Sequence, residues 1–74
     1  MKETKVILAL IVRILRNDLK FKTINKDLSE SALITKCVDY DLFVELMQTT
    51  NQPKMIVQLL LQAINIVLTE KAGN

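Results

Sequence analysis

Polar positions are sparse in the first part of the chain, and where they recur they keep helical spacing. Lys5, Arg13, Arg16 and Lys20 fall eight, three and four residues apart, with Ala9 between them, while Ile7, Leu8, Ile11, Ile14, Leu15 and Leu19 take the other side. This spacing predicts a helix over residues 4–20, with Thr4 as a capping candidate. The β-branched run at 6–12 would also suit a strand, but the polar positions beyond residue 12 repeat at helical and not alternate intervals.

The segment "FKTINK" that follows has no apolar period, and "DLSE" after it has the form of a capping box, with Asp27 as the cap and Glu30 reaching back. Leu33, Cys37, Tyr40, Val44 and Met47 then recur at spacings of four, three, four and three, a seam that predicts one helix over 28–49. A break near "VDYD", with Asp39 capping a fresh start, is the rival reading. "TTNQP" forms the second joint, and Pro53 in a first turn opens a last helix over 53–71. Lys71 in its final turn and Gly73 in a left-handed closing conformation would mark its end.

In that last helix Ile56, Leu60, Ala63 and Val67 make one seam and Val57, Leu61, Ile64 and Leu68 a second beside it, leaving only a narrow polar stripe. The first helix is nearly as apolar through "VILALIVRIL". A three-helix monomer asks each helix to cover one face of modest width, so these stretches exceed what one chain of this length is expected to bury. The expected architecture is a single all-α domain over 1–74, a three-helix antiparallel arrangement completed by dimerisation into a helical bundle. Its expected oligomer interface is Ile56, Val57, Leu60, Leu61, Ile64, Val67 and Leu68 together with Ile7, Leu10, Ile11 and Ile14.

Composition sharpens this picture. The apolar supply is almost wholly aliphatic, twelve Leu, eight Ile and six Val against two Phe, one Tyr and no Trp, and one Gly with one Pro leaves few turn signals for a β fold. The single cysteine, Cys37, excludes an internal disulfide and fits a cytoplasmic chain. As helices the apolar runs at 6–15 and 55–68 would rise roughly 15 and 21 Å, short of the roughly 30 Å of hydrocarbon in a bilayer. The opening "MKETK" before an apolar run resembles a signal peptide, but Arg13, Arg16 and the lack of a small-residue cleavage site argue otherwise.

Catalytic chemistry has little to draw on. There is no histidine, one cysteine and one glycine, which removes the commonest general base, the usual zinc clusters and any glycine-rich phosphate loop. Asp39, Asp41 and Glu45 are the densest carboxylates and read as a solvated helix face; Cys37 in an apolar seam reads as an inert core thiol. No enzymatic activity, cofactor, metal or small-molecule substrate is expected.

Charge is polarised along the chain. Residues 1–26 carry seven Lys/Arg and two acids, a balance of +5, whereas 27–74 carry three Lys and six acids, a balance of −3, which sum to the formal +2. The basic face is expected to lie near the acids of the second helix, within or between chains. Lys5, Arg13, Arg16, Lys20, Lys22 and Lys26 form the expected charged partner surface. The first expectation for function is a small regulatory or adaptor protein acting by protein–protein binding through aliphatic helix faces, as a homo-oligomer. A nucleic-acid-binding regulator using the basic first helix ranks second, although no helix-turn-helix joint is legible. A peripheral membrane protein ranks third.

Overall fold

In a computed structural model that describes residues 2–73, the chain is all-helical, with no strand among the described residues. The helices are α1 (Lys2–Asp18), α2 (Glu30–Cys37), α3 (Tyr40–Gln48) and α4 (Pro53–Ala72). α4 is the axis of the fold. Ile56, Leu59, Leu60, Ala63, Ile64, Val67 and Leu68 are all buried along it, and α1, α2 and α3 each pack against it. The wide apolar circumference that suggested a second chain is therefore largely covered within this one. Among the described residues α4 is the one helix long and apolar enough to cross a membrane, with a mean hydropathy of 1.3, and its length exceeds the run foreseen at 55–68. In this fold that apolarity lies between three neighbouring helices.

α1 and α4 run parallel. Glu3, Thr4 and Ile7 share a cleft with Gln52, Met55 and Ile56 at one end, while Arg16 reaches Glu70 at the other. Ile11, Val12, Leu15 and Leu19 form the buried side of α1 and meet the buried row of α4 in one core with Cys37 and Val38. Of the foreseen apolar side Ile11, Leu15 and Leu19 are buried, Ile7 and Leu8 are half-buried and Ile14 is exposed, while Val12 joins the core unforeseen. Parallel packing places the two negative helix ends side by side, and Lys71 offsets this. Its ammonium donates to the carbonyls of Leu19 and Lys22 in the turn that follows α1, close to the negative end of that helix.

Besides shifts of one or two residues at the ends of α1, which stops at Asp18, and of α4, which runs to Ala72, the boundaries depart from the sequence pattern at four places. α1 begins two residues before Thr4, which sits inside the helix as a half-buried residue and caps nothing. α2 is capped not by Asp27 but by Ser29, whose hydroxyl accepts from Ala32 N–H at 3.3 Å. The Asp27 N–H instead donates to Asn25 Oδ1 at 2.9 Å, so an Asx turn occupies the residues where the capping box would begin. Gly73 closes α4 at φ −76° and ψ −11° and not in the left-handed region; its N–H bonds Thr69 in the ordinary helical way, and an added Cβ would meet backbone at 3.5 Å.

The fourth departure matters most. The segment 28–49 is two helices, not one, because Val38 is extended at φ −109° and ψ 126° and Asp39 at φ −63° and ψ 139°. Asp39 stands at the cap position of α3, where its backbone carbonyl accepts from Phe43 N–H, though its side chain makes no capping bond. Cys37 and Val38, on either side of the helix end, are both buried against the core. The break divides the foreseen seam: Cys37 is buried, Leu33, Val44 and Met47 are half-buried, and Tyr40 is 74% exposed.

Candidate functional site

The residues expected to pair with a second chain separate into three groups. Ile11, Ile56, Leu60, Ile64, Val67 and Leu68 lie in the chain's own core, where they are closed to any partner. Ile7, Val57 and Leu61 are half-covered, and Leu10 and Ile14 are exposed. Two surfaces remain for recognition.

The first is built on α3. Tyr40, Leu42, Phe43, Val44, Leu46 and Met47 make six of its nine residues large and apolar, yet none of its residues is buried. A short helix held at an extended break can turn only part of its surface to α4, so each of these side chains is covered on one flank at most. Beside it, Ile34, Thr35, Val38, Tyr40 and Phe43 line an apolar groove of about 270 Å³. Phe43 and Ile34 also meet Val57 of α4 in a shallow depression next to it, and Leu61 follows one turn along α4.

The second is the outer side of α1. Val6, Leu10 and Ile14 repeat every four residues on the side turned away from the core and are 57%, 53% and 38% exposed. Phe21, in the turn that continues α1, is 91% exposed. Neither Val6 nor Phe21 nor Tyr40 was singled out as a binding residue by the sequence pattern. The helical interval did carry a signal, since residue 21 stands seven positions, two turns, beyond Ile14.

The basic residues do not act as one surface. Arg16 is engaged: its Nε and one terminal nitrogen donate to the two carboxylate oxygens of Glu70 at 2.9 and 2.8 Å, a two-pronged pair between α1 and α4. Glu70 holds the Arg16 proton more firmly than usual, and the Arg16 hydrogen bond holds the Glu70 carboxyl below its ordinary range. The acid that meets α1 therefore comes from the last helix, where the second had been expected. Lys20 lies over its neighbour Phe21, with the ammonium 5.5 Å from the ring centre. Lys5, Arg13, Lys22 and Lys26 are exposed.

A depression of about 660 Å³ separates Ile14, Asp18 and Lys22 from the α2–α3 break and Tyr40. Cys37 borders it but is buried, and burial pushes its thiol pKa up against the pull of Lys22 and Lys71, which keeps it a protonated, weak nucleophile. Asp39, Asp41 and Glu45 are exposed around the start of α3, and among the described residues no three His, Cys, Asp or Glu side chains converge as a metal site would need. The chain matches no protein-family model, and no characterised protein or solved structure is significantly similar to it.

Proposed function

We propose that the protein is a small non-enzymatic regulatory or adaptor protein of the cytoplasm that acts by protein–protein binding and self-associates through the α2–α3–α4 surface of Ile34, Phe43, Val57 and Leu61. The observation that carries this reading is the failure of α3 to bury any residue although most of it is aliphatic or aromatic. A helix of this composition gains from having its open flank covered, since each apolar side chain removed from water contributes about 1.5–3 kcal/mol when burial is complete. Residues 27–74, which include this surface, carry a balance of −3. That charge is modest enough for two copies to approach over an aliphatic centre.

Sedimentation equilibrium tests the proposal. The wild-type chain is expected to show a reversible mass increase within roughly the micromolar to millimolar range that weak interfaces occupy. Val57→Glu with Leu61→Glu should return it to the monomer while leaving the helical circular dichroism unchanged, because both positions are only half-covered in the fold. A wild-type chain that stays monomeric throughout that range would overturn the self-association.

A further inference from the structure

We infer that the outer side of α1 and the turn after it form a docking surface for an anionic lipid bilayer, with Val6, Leu10, Ile14 and Phe21 entering the interface and Arg13, Lys20 and Lys22 meeting the headgroups. The surface shares no residue with the self-association face above, so each can fail without the other. Four of the five large apolar side chains that the fold leaves most exposed belong to α1 and the turn after it, the fifth being Tyr40 across the groove from Ile14. Val6, Leu10 and Ile14 lie one turn apart along α1, Asp18 holds the next position of that line, and Phe21 follows in the turn after the helix. In the turn that carries Phe21, Lys20 N–H donates to the Asn17 carbonyl and Lys22 N–H to that of Leu19.

Phe21 is held in its exposed position by the fold. The backbone carbonyls of Leu19 and Lys22, on either side of it, both accept from the ammonium of Lys71 on α4, and Leu19 itself is fully buried. A turn fixed at both shoulders therefore presents an aromatic ring to solvent, with an ordering cost met within the folded chain. Lys20 over the ring pairs a cation with an apolar tip, the combination that suits the headgroup–acyl boundary, where long basic side chains extend to phosphate while apolar groups go deeper.

Charge and area select the occupant. With Arg16 paired to Glu70, exposed Arg13, Lys20 and Lys22 outnumber Glu3 and Asp18 by one on this face, a slight cationic excess that favours an anionic surface over a second copy carrying the same excess. Four apolar side chains expose on the order of a few hundred Å², well short of the roughly 800 Å² per partner of a stable protein interface. A bilayer needs less, since a few inserted side chains and several cations, each giving about a fivefold gain near an anionic surface, suffice for reversible attachment. Glu3 and Asp18 also lie along α1 and oppose headgroups, which limits the expected attachment to a weak, salt-sensitive one. Nucleic acid fits less well, because a single ring on this surface offers one stacking platform where strand binding uses a succession of them.

Co-sedimentation of the full chain with vesicles at low salt tests the inference. Vesicles containing about 30% phosphatidylserine in phosphatidylcholine should carry the chain down, and pure phosphatidylcholine vesicles should not. Phe21→Ala, at a position that contributes nothing to the core, should lower the partition coefficient about tenfold. Arg13→Gln with Lys20→Gln should lower it about twentyfold and flatten its dependence on salt. Unchanged thermal melts of these variants would show that the losses are losses of binding. Failure to bind the anionic vesicles, equal binding to neutral ones, or no response to Phe21→Ala would each overturn the inference. A mixed-sequence single-stranded oligonucleotide bound more tightly than the vesicles would overturn it in favour of base stacking by Phe21, and a lower sedimentation mass for Phe21→Ala would overturn it in favour of a second copy.

Discussion

α4 and α3 are drawn from similar residues and meet opposite fates. Both are mostly apolar, α4 through Leu, Ile and Val and α3 through Leu, Val, Met and two aromatics, yet seven residues of α4 are buried and none of α3 is. The difference lies in position and not in composition. α4 has neighbours on several flanks, whereas α3 follows an extended break and meets α4 with one. An apolar period along a chain therefore reports that a face wants cover, and the fold decides whether the cover comes from the same chain. The surplus of apolar surface inferred for the two longest helices is answered internally along α4, and what remains open has moved to α3 and to the outer side of α1.

Truncation in the two helices should break the symmetry of composition most clearly. Leu60 is fully buried, and Leu60→Ala is expected to cost about 2–5 kcal/mol, through lost transfer energy and the cavity left behind. Leu46→Ala in the half-covered α3 should cost about 1 kcal/mol, because water already reaches the side chain and little cavity remains. Urea melts of both variants measure the contrast, and equal losses would mean that α3 is packed as tightly as α4.

A smaller effect separates the two helix starts on either side of the break. Ser29 accepts from the Ala32 N–H, so Ser29→Ala is expected to cost about 1 kcal/mol, within a range of roughly 0.5–2. Asp39 makes no side-chain capping bond, and Asp39→Ala should cost less than about 0.5 kcal/mol. A reversal of that order in thermal melts would place the anchoring of α2–α3 at the break itself.

What the sequence made legible was periodicity: the buried positions of α1 at residues 11, 15 and 19, the Pro53 start of α4 and the all-helical class follow from spacing alone. Less legible was anything decided by competition among local hydrogen bonds. Asp27 and Ser29 both have cap chemistry; in the fold Ser29 caps, while the Asp27 N–H is taken by Asn25 in an Asx turn. Residues 37–40 could continue a helix on propensity, and spacing alone does not reveal that Val38 and Asp39 take extended dihedrals. The interface residues were legible only as apolar, because which neighbour covers an apolar side chain is a property of three-dimensional packing. Phe21 escaped notice because its environment depends on Lys71, nearly fifty residues away in sequence, gripping the carbonyls of its turn.

The half-covered state of α3 is the centre of this account, and hydrogen exchange of its backbone amides at increasing protein concentration tests it most directly. At low concentration the α3 amides are expected to exchange faster than those of α4, as expected of an element with few buried contacts. As concentration rises their protection should increase while that of α4 stays constant, because a second copy covers the α3 flank and leaves the core unchanged. Protection in α3 that equals that of α4 from the start, or that does not respond to concentration, would contradict the account.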